Sequence, residues 1–301
     1  MQIIYIGLGK MGKGMALLMQ EKGHNVFCFN RSEEGRIKAR EEGLHVFDTL
    51  ADTFKQVSGK KLVFIMVSHQ GVDEVISEIK PFLKPEDTVI DGGNCFYKDS
   101  IRRGEEFAKL GIEFLDIGVS GGPYGARNGA CLMIGGSKKS FDALEPLFSD
   151  ISDSSSAYAY LGSYGAGHFA KMVHNGIEYG MMQSIAEGFN IIKHSSFNYR
   201  LTEVAHLYQK KSVIESRLVE WLGDGFQKFG EELDGISGEV AASGEGEWTV
   251  NTAKEMNAPA PAIQTSLFFR SMSQGNPSYI GKLLSTMRTM FGGHDVKEVG
   301  K

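Results

Sequence analysis

Hydrophobic and polar positions divide the chain into two unlike parts. Up to about residue 160, short apolar runs recur: Gln2–Ile6, Asn25–Phe29, Leu62–Val67, Thr88–Ile90, Phe114–Ile117, Cys131–Gly135 and Ala157–Tyr160. Runs of this length, bounded by Gly, Asn and Ser, predict buried strands. Between them, amphipathic spacing predicts helices over Lys10–Lys22 and Lys138–Phe148. Beyond residue 164 the strand pattern stops. Three-to-four spacing predicts helices over Gly165–Glu187, Leu201–Gln209, Val213–Leu222, Phe226–Leu233, Thr249–Met256, Ile263–Gln274 and Ser278–Thr289. An α/β domain (1–164) followed by an all-α domain (165–301) is expected, with the boundary near Ser163–Gly165.

The helix over Gly165–Glu187 reads GAGHFAKMVHNGIEYGMMQSIAE. At about 100° per residue, Lys171, Asn175 and Glu178 fall within roughly 60° of one another. His174 and Tyr179 flank them, so five polar groups share a face. The opposite face, with Phe169, Val173, Gly176, Gly180 and Ser184, is expected to pack closely. Buried Lys and Glu are costly to desolvate unless they face a cleft. A solvated stripe is the plainer reading, but Asn, His and Tyr suit a merely soluble surface poorly.

Composition adds bounds. The 301 residues carry 42% hydrophobic and 23% charged side chains and a net charge of −5. That charge disfavours a broad nucleic-acid surface. The odd number of cysteines, Cys28, Cys95 and Cys131, lacks metal-ligand or disulfide spacing, and this fits a reducing cytoplasm. No metal is expected. The chain starts directly on an apolar strand, without a leader pattern, and no apolar run approaches a membrane span.

Candidate chemistry begins at Gly7-Leu8-Gly9-Lys10-Met11-Gly12, a G-x-G-x-x-G between a strand and a helix. The first Gly permits the tight turn, the second lets a pyrophosphate approach the backbone, and the third lets helix and strand pack. The helix N-terminus then offers N–H groups to phosphate. This predicts a Rossmann-like dinucleotide-binding domain. The second strand ends at Asn30-Arg31-Ser32, without the acidic residue that would accept from an NAD ribose. Arg31 offers a guanidinium fork suited to a 2′-phosphate, which favours NADP while leaving NAD possible. Met66, Val67 and Ser68, at the end of another strand, are expected beside the cofactor. Ligands in open α/β sheets sit at the carboxyl ends of strands. Asn94, after Asp91-Gly92-Gly93, and the Ser120-Gly121-Gly122 turn therefore point to one crevice. In the second part, Gly244–Trp248 reads as a glycine-broken loop. Arg270 stands beside Phe268 and Phe269 and reads equally well as a snorkelling surface residue.

Together these segments resemble the 6-phosphogluconate dehydrogenase family, in its shorter bacterial form, among the β-hydroxyacid dehydrogenases. The parts that carry the resemblance are GLGKMG, NRS, DGGN, GVSGGPYGARNG (118–129), GAGHFAKMVHNGIEYG (165–180) and RTMFGGH (288–294). The resemblance implies oxidative decarboxylation of 6-phosphogluconate to ribulose 5-phosphate and CO2, with NADP or NAD as hydride acceptor. It implies Lys171 as the base, Glu178 as the acid that protonates the enediol, and Asn175 beside them. Asn94, Ser120, Gly121, Gly122, His174 and Asn175 would hold the carboxylate and hydroxyls, and Tyr179 and Arg270 the phosphate. Arg288 and His294 would complete a neighbouring subunit's site, so self-association is expected. The chain departs from the long form in length. It also lacks a basic residue before Trp248, where Ala242-Ser243-Gly244-Glu245 stand. Two other readings stay open: a dehydrogenase for a small 3-hydroxy acid, and a non-catalytic NADP-binding regulator.

Overall fold

The computed structural model describes residues 1–153, 156–241 and 244–292. Its described residues form two compact units, divided between Lys171 and Met172.

The first unit alternates strands and helices. These are β1 (Gln2–Ile6), α1 (Lys10–Glu21), β2 (Asn25–Phe29), α2 (Glu33–Glu41), β3 (His45–Phe47), α3 (Leu50–Phe54), β4 (Leu62–Ile65) and α4 (His69–Ile79). Then follow β5 (Thr88–Asp91), α5 (Tyr97–Lys109), β6 (Glu113–Ser120), α6 (Gly122–Asn128), β7 (Cys131–Gly136), α7 (Lys138–Ile151) and β8 (Tyr158–Gly162). The eight strands make one sheet in the order β3-β2-β1-β4-β5-β6-β7-β8. The order reverses between β1 and β4, the place where doubly wound sheets open a crevice at their carboxyl edge.

All neighbours pair in parallel except β6 and β7, which run antiparallel from Leu115↔Gly136 to Ser120↔Cys131. The reason lies in the connection. A parallel crossover needs a dozen or more residues, and the short α6 cannot supply one. Strand β6 also runs past Ile117 to Ser120, through Gly118, rather than stopping at a glycine turn. Each face of the sheet has its own apolar layer. One gathers Ile3, Tyr5, Met15, Met19, Cys28 and Leu147, and the other Ile4, Ile6, Val63, Val75, Ile76 and Phe107. Alternate residues of β1 thus enter opposite layers, as the two-residue period of a strand requires.

Helix α8 (Ala166–Lys193) opens within the first unit. The buried Asp116 carboxylate accepts hydrogen bonds from Gly165 N and His168 N, 2.8 Å each. It therefore satisfies orphan amides at the start of the helix. Burial still pushes the Asp116 carboxyl upward, against the lowering effect of His168 and these amides. Glycines let the helix lie directly on the sheet. A Cβ on Gly167 would sit 2.4 Å from the carbonyl oxygens of Asp116 and Met133, and one on Gly118 would sit 2.3 Å from Lys171 Cβ.

The second unit holds the rest of α8, then α9 (Leu201–Tyr208), α10 (Arg217–Phe229), α11 (Glu245–Glu255), α12 (Pro261–Ser273) and α13 (Tyr279–Gly292). Helix α10 replaces the two helices expected over Val213–Leu222 and Phe226–Leu233. Gly223 and Gly225 read as breakers in sequence, yet both are buried contact points. Added Cβ atoms would lie 3.3 Å from Ala205 Cβ and 2.1 Å from Thr286 Cγ2. Close helix packing offsets the roughly 1 kcal/mol that a helical glycine costs. The Ser216 hydroxyl caps the helix by accepting from Val219 N.

The buried stripe of α8 also differs from expectation. It runs through Met172, Asn175, Tyr179, Met182, Ala186 and Phe189, so two of the five polar positions belong to the buried side. Gly176 packs on Thr249, but nothing lies within 4 Å of a Cβ at Gly180 and Ser184 is exposed. Tertiary contacts, not hydrophobicity alone, chose the face.

Candidate active site

At the nucleotide end, the three glycines of the first turn have different surroundings. Gly7 has φ +105°, and a Cβ there would lie 2.3 Å from Met66 O; a Cβ on Gly12 would lie 2.2 Å from Gly7 O. Gly9 faces open space, with nothing within 4 Å. Two glycines thus close the turn on itself and on the end of β4, and one leaves backbone accessible to a ligand. This cradle fits a pyrophosphate at the N-terminus of α1. Leu8 is buried, Gly9 and Lys10 are exposed, and Met11, Met66 and Val67 are half-buried around the turn. Ser68 precedes the first residue of α4 and is exposed.

The Asn30-Arg31-Ser32 segment is built tightly. Asn30 Oδ1 accepts from Leu8 N at 3.0 Å, and Asn30 Nδ2 donates to Ser32 Oγ at 3.0 Å. Asn30 therefore ties the end of β2 to the first turn. Ser32 Oγ caps α2 by accepting from Gly35 N. The Arg31 guanidinium donates to Glu74 at 2.8 Å and Glu78 at 3.3 Å, both on α4.

At the carboxyl edge of β5, Asp91 shapes the turn that carries Asn94. Its Oδ1 accepts from Gly93 N at 3.1 Å, and its Oδ2 takes Arg103 Nη1 at 3.1 Å. Arg103 is buried and also donates to Asp73 at 2.7 Å. That hydrogen bond, above all, holds the Asp73 carboxyl down to about 2. Asn94 itself is exposed at the tip. Ser120 ends β6, Gly121 has φ +125°, and Gly122 opens the short α6. Lys171 sits beside Gly118 of the same strand. Asn94 thus follows the end of β5, Ser120 ends the neighbouring β6 with Gly121 and Gly122 after it, and Lys171 lies beside Gly118 of β6, all in the first unit.

Further along α8, His174 Nδ1 lies 3.0 Å from Asn175 Oδ1 and 3.9 Å from Glu178 Oε2.

Arg270 is not a snorkelling surface residue. It is 2% exposed, and its guanidinium carbon lies 3.4 Å from the centre of the Tyr179 ring. The guanidinium also donates to Ala241 O at 3.4 Å and to Met182 Sδ at 3.6 Å. Burial lowers Arg270 to about 10, the nearby Arg288 lowers it too, and Tyr179, Glu178 and Glu245 pull the other way. Gly246 makes room for the ring, since a Cβ there would lie 2.6 Å from Tyr179 Cε2. The stretch before Trp248 is therefore the first turn of α11, with Gly244 in the left-handed region at φ +95°, rather than a loop. His294, Ala242 and Ser243 lie outside the described residues.

Sequence reasoning missed Asp116, Arg103, Glu74 and Glu78. Asp91 and Asp116 end or interrupt apolar runs, which is a weak signal of a buried carboxylate. Glu74 and Glu78 read as ordinary helix surface. Among the described residues, one buried set could face a metal: Asp91, Cys95 and His168. Arg103 already brings its positive charge to Asp91 there, and burial and the Asp91 charge raise the Cys95 thiol well above its usual range. Neither feature suits a cation.

Comparison with known proteins bears on this geometry. Residues 2–162 match the NAD binding domain of 6-phosphogluconate dehydrogenase, and residues 167–280 match the C-terminal domain of that enzyme. A Bacillus subtilis (strain 168) relative with a provisional 6-phosphogluconate dehydrogenase name is 38% identical over 98% of both chains. A Haloferax volcanii relative, named as an NAD(+)-dependent, decarboxylating 6-phosphogluconate dehydrogenase, is 35% identical over 98% of both. The structure of Plasmodium falciparum 6-phosphogluconate dehydrogenase superposes with a TM-score of 0.81 at 31% identity. It is matched over 91% of this chain but only 62% of its own length. A Mycobacterium tuberculosis 3-hydroxyisobutyrate dehydrogenase shares the fold, with a TM-score of 0.71 at 17% identity. The first unit is an NAD(P)-binding domain.

Proposed function

The chain belongs to the 6-phosphogluconate dehydrogenase family, and we propose that it oxidatively decarboxylates 6-phosphogluconate to ribulose 5-phosphate and CO2. The observation that carries the reading is Arg270. It is a buried cation stacked on Tyr179, next to a helix that presents His174, Asn175 and Glu178. A plain hydride transfer to a small hydroxy acid calls for neither a buried phosphate receptor nor a second acid. An arginine whose charge is disfavoured by burial is stabilised by a bound anion.

Bound NAD(P) supplies the hydride acceptor. Lys171 takes the proton from the C3 hydroxyl and returns it to the ketone oxygen, where its positive charge draws electrons as the carboxylate leaves. Glu178 delivers a proton to C1 of the enediol while Lys171 takes back the enol proton, so that the product ketone forms. Asn94, Ser120, Gly121, Gly122, His174 and Asn175 hold the carboxylate and hydroxyls, and Tyr179 and Arg270 the phosphate. The first 164 residues bind the cofactor and lend Asn94 and the Ser120–Gly122 turn to the substrate, and the remainder supplies the other substrate contacts and the subunit contact. Self-association, with Arg288 completing a neighbouring subunit's phosphate pocket, belongs to the same reading, so isolated monomers are inactive.

The test is to supply purified protein with 6-phosphogluconate and either NADP or NAD, following reduced nicotinamide and CO2 together. Equal amounts of the two products support the reading. Reduced cofactor without CO2 makes the chain a simple hydroxyacid dehydrogenase and removes Glu178 from its role. Without turnover, the non-catalytic reading stands. Glu178→Gln should lower kcat by about 10²–10⁴-fold.

A further inference from the structure

We infer that Glu74 and Glu78 are specificity-determining residues: they compete with a cofactor 2′-phosphate for Arg31 and so shift preference toward NAD. The inference rests on the reading of Arg31 as the 2′-phosphate contact. Arg31 stands just beyond β2, where an acidic residue would meet an NAD ribose or an arginine would meet an NADP phosphate. Here both ends of its fork are engaged: Nη1 lies 2.8 Å from Glu74 Oε2, and Nη2 3.3 Å from Glu78 Oε1. The two glutamates are four residues apart on α4, so they share one helix face. They form a two-pronged clamp on one guanidinium.

The clamp makes the local charge negative. A phosphate monoester carries about −1.5 to −2 at neutral pH. To reach Arg31 it must displace the two carboxylates or bind beside them, and either way it meets repulsion. A ribose 2′-hydroxyl meets no such repulsion, and a carboxylate can accept its proton in a hydrogen bond. The NAD-type acceptor missing after β2, where Asn30 is engaged with Leu8 and Ser32, is thus supplied from α4. Arg36 fixes the arrangement from behind, since its Nη1 donates to the Asn30 and Arg31 carbonyls at 2.9 and 2.8 Å. All three ion-pair partners are roughly half exposed, so each pair is weak and its removal is a modest, readable change.

The experiment measures NADPH and NADH affinity by nicotinamide fluorescence in the full-length protein, without substrate. Glu74→Gln with Glu78→Gln should shift the affinity ratio toward NADPH by a few-fold to about thirtyfold. Glu74→Gln alone should do more than Glu78→Gln, because its contact is shorter. The gain must vanish when Arg31→Ala is added. An unchanged ratio, a shift toward NADH, or a gain that survives Arg31→Ala overturns the inference. Loss of both affinities overturns it as well, because the glutamates would then support the site as a whole. Failure of the 6-phosphogluconate reading would show in turnover and leave these affinities in place.

Discussion

Two arginines carry the expected phosphate contacts, and their surroundings are opposite. Arg31 is exposed in the first unit and held by two carboxylates. Arg270 is buried in the second, with an aromatic ring, a carbonyl and a thioether as its near contacts. In water an arginine keeps its charge at little cost, and a carboxylate partner adds little. In the interior the same charge loses its hydration and must be answered by dipoles, a ring face or an incoming anion. The difference teaches that a buried arginine must be answered by the groups packed around it, whereas an exposed one can be tuned by partners that solvent screens.

The comparison can be broken at its stronger end first. Arg270→Ala should raise the KM for 6-phosphogluconate by about 10²–10³-fold, since removing one partner of a buried charged contact costs roughly 2–5 kcal/mol. Arg270→Lys should recover only part of this, because a lysine loses the planar fork and the stacking. Steady-state kinetics checks both, and an alanine variant with an unchanged KM would remove Arg270 from the phosphate site.

Burial of charge is probed separately at Asp116. Asp116→Asn puts a donor where two backbone amides already donate, and should destabilise the protein by about 1–3 kcal/mol in urea unfolding. If Asp116→Asn unfolds at the same urea concentration as the parent, the buried carboxylate does not hold the start of α8.

At the exposed end the effects shrink. Arg31→Ala should raise the KM for NADP by roughly tenfold, the worth of a charged hydrogen bond, and leave that for NAD nearly unchanged. Equal changes for both cofactors would detach Arg31 from the 2′-phosphate.

Smallest is the pH effect of Asp73. Its folded pKa is depressed to about 2, below the roughly 3.9 of an unfolded aspartate. Its contribution is therefore complete above about pH 4 and is lost as pH falls toward 2. The side chain is 54% exposed, so solvent screening keeps this contribution small. Asp73→Asn should flatten the acid limb of the stability curve in that window and leave neutral stability only slightly lower. An unchanged acid limb would mean that Arg103 is held by Asp91 alone.

Much of this protein follows from sequence by itself. The strand–glycine–helix order at Gly7–Gly12, the change from alternating strands and helices to helices alone, and the spacing of Lys171, Asn175 and Glu178 are local properties. Each depends on backbone sterics or helix geometry that neighbours do not alter. Only the tertiary structure decided the rest. Gly223 and Gly225 became helix interior because other helices pack on them. Strand β7 turned antiparallel because α6 is too short to cross over. The stripe through Met172, Asn175 and Tyr179 became the buried side because its partners arrive from distant sequence. Arg270 became a buried cation and Arg31 a clamped one for the same reason. An arginine's worth is set by the water, rings and carboxylates around it, and these come from residues far along the chain.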